Sequence, residues 1–271
     1  MLKLIFALSF TICFSASALT ITSLNIEWYG RGGTLYGSSS DEYRDEQIRE
    51  FLTKQIPSSD VFVFQEVTDT QRLSTVLPKH TCQTYEVKRG GHQHVSICVL
   101  NSEKATFSVD LEVQVGRGNL RPAFGAKLEN GINIIGLHLK AGTRDSETRL
   151  EQVEKLVNSP LTDSKLNPRT LIIGDFNTFE KERTENEADD VELMDEIFEM
   201  TGFLRTAHDT PTYFGYQSRI FDRVWSRGLS IKRAEVFGPC RRDSVVFPFS
   251  QRGYYERFIS DHCALQVEVN L

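Results

Sequence analysis

The chain has no long apolar run beyond its first residues, no excess of basic side chains, no CxxC pair and no internal repeat. Each absence removes a class of protein. Without a later stretch of about 20 apolar residues, no helix is expected to span a membrane. With 31 Lys and Arg against 37 Asp and Glu, the formal charge is −6. The electrostatic footprint of a protein that coats a polyanion is therefore missing. That balance leaves room for a protein that reaches phosphate through a divalent metal. Without CxxC spacing, no structural zinc site is indicated. Without a repeat or a linker rich in Pro, Gly or Ser, the 271 residues read as a signal segment and one domain, residues 19–271.

Residues 1–18 carry the signal pattern. Lys3 is the positive n-region, Leu4 to Phe14 the apolar h-region, and Ala16-Ser17-Ala18 the small-residue cleavage site. Export to a secreted or periplasmic location is expected, with Leu19 as the mature N-terminus. Cys13 leaves with the signal. Cys82, Cys98, Cys240 and Cys263 remain, an even set in an oxidising compartment. Three pairings are possible. Cys82–Cys98 with Cys240–Cys263 is favoured, because each joins segments near in sequence.

Strand and helix patterns interleave, with hairpins among them, so mixed α/β sheets are expected. Helices are predicted over 41–56, 68–77, 146–157 and 191–200, and an irregular, aromatic-rich loop over 243–258. The most informative stretch is Thr170-Leu171-Ile172-Ile173-Gly174-Asp175-Phe176-Asn177. A buried strand stops at a glycine and delivers a carboxylate and an amide at i and i+2, on one side of the extended chain. Alone, this is equally an ordinary Asp/Asn turn. The pattern recurs, however: Asn25 with Glu27 and His138 with Lys140 close other strands, and Glu66, Asp222 and Asp261-His262 adjoin strand ends. Should these ends converge, Glu27, Glu66, Asp175, Asp222 and Asp261 cannot all ionise without compensation. A hard divalent cation, Mg²⁺ or Mn²⁺, is the simplest compensation, with Ca²⁺ as a structural alternative. Two histidines are left for acid/base or phosphate-stabilising roles.

The ordered set Leu24-Asn25-Ile26, Gln65-Glu66-Val67, His138, Gly174-Asp175-Phe176-Asn177, Asp222 and Ser260-Asp261-His262 resembles the endonuclease/exonuclease/phosphatase family, and within it the secreted pancreatic-type deoxyribonucleases. The resemblance covers residues 19–271. It implies a four-layer α/β sandwich, two central mixed sheets flanked by helices, with the site at one edge. It further implies that Asn25, Glu27, Glu66 and Asp261 serve the metal, with Glu66 the principal ligand. Asp175 would orient or deprotonate the attacking water, Asn177 hold phosphate oxygens, Asp222 fix His262, and His138 supply an acid for the departing oxygen. Lys140, Arg149 and Arg121 would contact substrate.

One departure stands out. In the pancreatic-type branch a glutamate after the equivalent of Cys82 orients the second histidine. Here that region reads Gly91-His92-Gln93-His94-Val95, without a glutamate. The expected activity is metal-assisted hydrolysis of DNA by a monomer without stable membrane insertion. The alternatives are a sphingomyelinase-like phospholipid phosphodiesterase, suggested by the aromatics of Val245 to Phe249 and Tyr254-Tyr255, and a non-catalytic binding module.

Overall fold

The computed structural model describes residues 18–35, 37–86, 93–115, 120–178, 190–215, 218–241 and 248–271. The expected signal segment lies outside them except for Ala18, and so do Arg89–His92, expected as a hairpin tip, and residues 179–189 and 242–247. Two six-stranded mixed sheets face each other. The first runs, in spatial order, Ser230–Phe237, Ala264–Asn270, Ala18–Tyr29, Val61–Val67, His94–Leu100 and His80–Thr84. The second runs Leu204–Arg205, Asp222–Arg227, Arg169–Asp175, Ile132–His138, Ala123–Leu128 and Ala105–Asp110. Each sheet contains one parallel pair, Ala18–Tyr29 with Val61–Val67 and Ile132–His138 with Arg169–Asp175.

The central strands are apolar on both faces because both faces are covered. Val61 and Val63 point into a core between the sheets, where Ile132, Ile134, Leu171, Ile173 and Val224 meet them. Phe62 and Phe64 point the other way, into a layer with Ile48, Phe51 and Leu52 of the helix Asp41–Lys54. Ile172 and Trp225 face a third cluster with Val153 and Leu156 of Ser146–Val157 and Met194 and Phe198 of Asp190–Glu199. Three cores separate four layers, helix, sheet, sheet and helix. The two sheets approach closely at Gly136, where a Cβ would lie 2.7 Å from Val63 Cγ1 and 2.9 Å from Val95 Cγ1.

Two segments differ from expectation. Of the helix predicted over 68–77, only Leu73–Val76 forms. The segment expected to be an irregular loop instead contains the helix Arg252–Phe258. Two of its aromatics are core: Phe249 and Tyr255 are buried and pack edge-on against Phe51, with ring centroids 5.6 and 5.1 Å away. An exposed aromatic loop reaching for a lipid surface does not exist at these two residues. Among the described residues no helix is long and apolar enough to cross a membrane.

The favoured cysteine pairing is the one present. Cys82 faces Cys98 across the edge of the first sheet, and Cys240 joins Cys263 at the start of Ala264–Asn270. Bridges closing loops of this size are worth about 3 kcal/mol each in the chain-entropy model. In a protein of this size, reductant should lower the melting temperature by roughly 6–12 °C per bridge lost. Differential scanning calorimetry with and without reductant measures this, and an unchanged melting point would show that the bridges carry no stability.

Candidate active site

The functional residues gather where the strand ends of both sheets meet, at the rim of the inter-sheet core. Strand alternation explains the convergence. Asp175 is in phase with Leu171 and Ile173, His138 with Ile132 and Ile134, and Asp222 with Val224, all of which face that core. Continued by two residues, each strand turns from burying apolar side chains to presenting a polar one. Parallel pairing sets Asp175 beside His138, and antiparallel pairing sets it beside Asp222. Gly174 permits the close approach: at φ 150° its absent Cβ would lie 2.2 Å from Leu137 O.

The first sheet delivers its residues differently. Glu66 is in phase with Phe62 and Phe64, and plain alternation would send it toward the helices. Register shifts interrupt the ladders between Asn25 and Tyr29 and between Phe64 and Val67. Glu27, Trp28 and Glu66 adopt φ of 33°, 51° and 60°, and Asn177 adopts 49°. Among the described residues these are all the non-glycine residues in the left-handed region. Such backbone costs of order 1–3 kcal/mol per residue and clusters at functional sites. Here the bulges re-aim two glutamates.

The contacts converge on Asp175 and Glu66. Asn25 Nδ2 donates to Glu66 Oε1 at 3.2 Å and to Asp175 Oδ2 at 3.1 Å. His138 Nε2 lies 3.5 Å from Asp175 Oδ2 and 3.8 Å from Glu66 Oε1. From the opposite side, His262 Nε2 lies 3.8 Å from Asp175 Oδ2 and 4.0 Å from Asp261 Oδ1. His262 Nδ1 binds Asp222 Oδ2 at 2.9 Å, which fixes the ring. Asp175 Oδ1 accepts the Asn177 backbone N–H at 2.8 Å.

Burial raises the carboxyl groups of Glu66, Asp175 and Asp261 above their usual range. Burial and then the charge of Asp261 push Glu27 up to about 7. For His262, burial alone would lower the ring, but Asp222, Asp175 and Asp261 outweigh it and raise it to about 10. His138 is held well below its ordinary value by burial, then by Arg121 and His262. The site thus contains one charged and one neutral imidazole.

A cavity of about 630 Å³ opens over these groups, bounded also by Trp28, Leu35, Gln93, Arg121, Lys140, Tyr213, Arg219 and Phe221. Among the described residues no group of three or more His, Cys, Asp or Glu side chains encloses a metal. Mg²⁺, however, keeps several waters and takes only one or two carboxylates. The donor set fits such an ion. Glu66 presents oxygen donors, Glu27 Oε2 is buried with no partner among the described residues, and the raised carboxyl groups gain from any positive charge. Asn25, expected to serve the metal, instead turns its amide N–H toward Glu66 and Asp175, its Oδ1 accepting the Glu27 backbone N–H at 3.0 Å.

The substrate-contact expectations divide. Lys140 and Arg121 line the cavity, although Lys140 Nζ also reaches Ala141 O at 2.6 Å and Arg121 donates to Leu139 O at 3.3 Å. Arg149 does not face substrate. It is fully buried, binds Asp190 Oδ2 through Nε at 3.0 Å, and donates to Lys140 O at 3.1 Å and Gly142 O at 2.7 Å. It braces the turn after His138, because the first turn of its helix points inward to meet Asp190.

Sequence reasoning missed Arg44. Its guanidinium, buried in the helix Asp41–Lys54, donates to the carbonyls of Ile26, Glu27, Gly33 and Ile259 at 2.5, 2.7, 2.9 and 2.9 Å. It ties the Glu27 bulge to the segment that enters Asp261-His262. The available signal was an arginine in helical phase with Ile48 and Phe51, a position where a charge must find buried partners. Tyr213, Arg219 and Phe221 at the cavity wall carried no comparable signal.

Residues 23–262 match the model of the Endonuclease/Exonuclease/phosphatase family, and the chain belongs to that family. Among solved structures it is similar to D. rerio TDP2 complexed with single strand DNA product. The two share 15% identity and a TM-score of 0.69, over 94% of this chain and 100% of that one. An endonuclease/exonuclease/phosphatase from Bacteroides vulgatus gives 14% identity and a TM-score of 0.67, over 94% and 99%. The human Nocturnin catalytic domain with bound sulfate gives 15% and 0.63, over 93% and 94%. No curated protein matches. These neighbours establish the fold, and they do not single out the pancreatic-type branch.

Two predictions test this description. Arg149→Met takes the guanidinium away from the buried Asp190, and breaking a buried ion pair costs about 3–5 kcal/mol. Denaturant unfolding should show that loss, whereas Lys140→Met, at the cavity wall, should leave stability within about 0.5 kcal/mol. Equal effects would refute the bracing role. The second concerns pH in the metal-free protein. The stability that protonated Glu27 supplies is fully present below its ordinary 4.5 and is lost as pH rises through about 7. That of charged His262 is full below 6.5 and is lost as pH rises through about 10. Melting temperature in chelator should therefore fall from pH 5 to 9, and Glu27→Gln should flatten the lower half. A rise over that range would contradict the electrostatics.

Proposed function

We propose that the chain is an exported, single-domain, monomeric phosphodiesterase that hydrolyses DNA, cutting within the strand, with Mg²⁺ or Mn²⁺ as its metal. The observation that supports this reading most is the sharing of one carboxylate oxygen, Asp175 Oδ2, among Asn25, His138 and His262. A buried carboxylate flanked by a charged and a neutral imidazole has the means to take a proton from water while phosphate charge is stabilised beside it.

Glu66 would hold the cation, with Glu27 and Asp261 adjoining and Asn25 orienting Glu66 through its Nδ2; the bound cation would neutralise phosphate oxygens. Asp175 orients and deprotonates the attacking water. Asn177, fixed through its backbone by Asp175, presents its side chain to a phosphate oxygen. His262, kept charged and oriented by Asp222, stabilises the negative charge that builds on the phosphorus ester. His138 donates one N–H to the departing oxygen.

DNA is favoured by the wall of the cavity. Lys140, Arg121 and Arg219 suit a phosphate backbone, and Tyr213 stacks on Phe221 with ring centroids 4.7 Å apart, a surface on which a base can lie. The similar TDP2 structure contains single-strand DNA product. The lipid alternative loses support because Phe249 and Tyr255 are committed to the core.

Purified chain with plasmid DNA and Mg²⁺ should nick and then linearise it, and chelator should stop the reaction. His262→Ala and Asp175→Asn should each lower kcat by about 10³-fold or more while the fold is retained. Release of choline phosphate from sphingomyelin vesicles without cleavage of DNA would replace this reading with the lipid one.

A further inference from the structure

We infer that Gln93 is a positioning residue for Glu66, its side-chain amide fixing that carboxylate in the orientation that receives the divalent cation. The inference rests on the reading that Glu66 is the principal metal ligand. Gln93 Nε2 donates to Glu66 Oε2 at 2.6 Å, and the Trp28 backbone N–H reaches the same oxygen at 3.3 Å. Asn25 holds the other oxygen. Three donors from two separate segments, the strand Ala18–Tyr29 and the residue before His94–Leu100, thus fix both oxygens. One lone pair, on Oε1, is still free, since a carboxylate accepts about four hydrogen bonds.

Glu66 needs this support because its backbone does not provide it. The residue sits at φ 60° where the ladder is interrupted between Phe64 and Val67. Pairing resumes with Val67 opposite His94, and that register delivers Gln93 beside the carboxylate. The type of residue matters as well. A lysine or arginine would hold Glu66 as an ion pair and compete with the cation, whereas a neutral amide orients the charge without cancelling it. Gln93 is therefore not the orienter of the second histidine: His138 Nδ1 is buried with no partner among the described residues.

Mn²⁺ uptake by the full chain, measured by titration calorimetry without DNA, tests this independently of the substrate. Gln93→Leu should weaken Mn²⁺ binding by about 10-fold or more, the usual effect of removing a group that orients a metal ligand. The Mg²⁺ concentration for half-maximal plasmid cleavage should rise in the same ratio, with cleavage at saturating Mg²⁺ within about threefold of wild type. Gln93→Asn, whose amide is one methylene too short, should behave alike and carries the test should the leucine variant not fold. Unchanged Mn²⁺ affinity in either folded variant overturns the proposal. So does loss of cleavage at saturating Mg²⁺ with Mn²⁺ affinity intact, which would make Gln93 a substrate contact. Absence of Mn²⁺ uptake by the wild-type chain sinks the metal reading itself, and the proposal with it.

Discussion

Four carboxyl groups, the buried Glu27, Asp175 and Asp261 and the partly buried Glu66, meet at the rim of one core, and they cannot all be ionised there without compensation. Most of the surrounding architecture answers that constraint. Asn25 and Gln93 supply amide donors to Glu66. Asp222, buried behind His262, keeps that ring charged, and the charged ring in turn lowers the cost of Asp175 and Asp261. In Glu27 one oxygen has the Leu35 backbone N–H and the other has no partner among the described residues. A site so short of positive charge is prepared for a cation.

The constraint also explains why the buried Arg44 and Arg149 stand beside the site without entering it. Arg44 spends its donors on backbone carbonyls rather than on the carboxylates. Its charge lowers the pKa of Glu27 from a distance, while its hydrogen bonds hold the bulge on which Glu27 rides. Arg149 does the corresponding work for the second sheet, holding the turn after His138 against Asp190. Direct ion pairs with the carboxylates would fill the place that a metal needs. Bracing through backbone keeps geometry and charge under separate control.

What could be read from the sequence follows from this division. Asp175, His138 and Asp222 continue the alternation of apolar strands, so their side of the sheet was legible from two-residue spacing. The order of Asn25, Glu66, Asp175 and Asp261-His262 was legible as a motif. Glu66 was found by motif alone, because its phase points to the wrong face and only a left-handed backbone corrects it. Arg149 was misread, since a charged residue in the first turn of a helix looks solvent-facing until its partner, Asp190, is seen 41 residues away. The helix Arg252–Phe258 was hidden because it is short and buries one residue, Tyr255 against Phe51, rather than forming a long amphipathic stripe.

Because each sheet contributes half of the groups, the chemistry depends on how the sheets pack. Asn25 from the first touches Asp175 of the second across the rim, and His262, at the start of a first-sheet strand, bonds Asp222 at the start of a second-sheet strand. The spacing between those strands is set deep in the inter-sheet core, where Gly136 lets the second sheet rest on Val63 and Val95. A side chain there would push apart the two halves at a point the substrate never reaches. Hydrogen bonds weaken steeply with separation, so the contacts that bridge the rim would be lost before either sheet lost its own ladder. Fold and site are therefore one construction, and the residues that position the chemistry include some that carry no polar atom in their side chains.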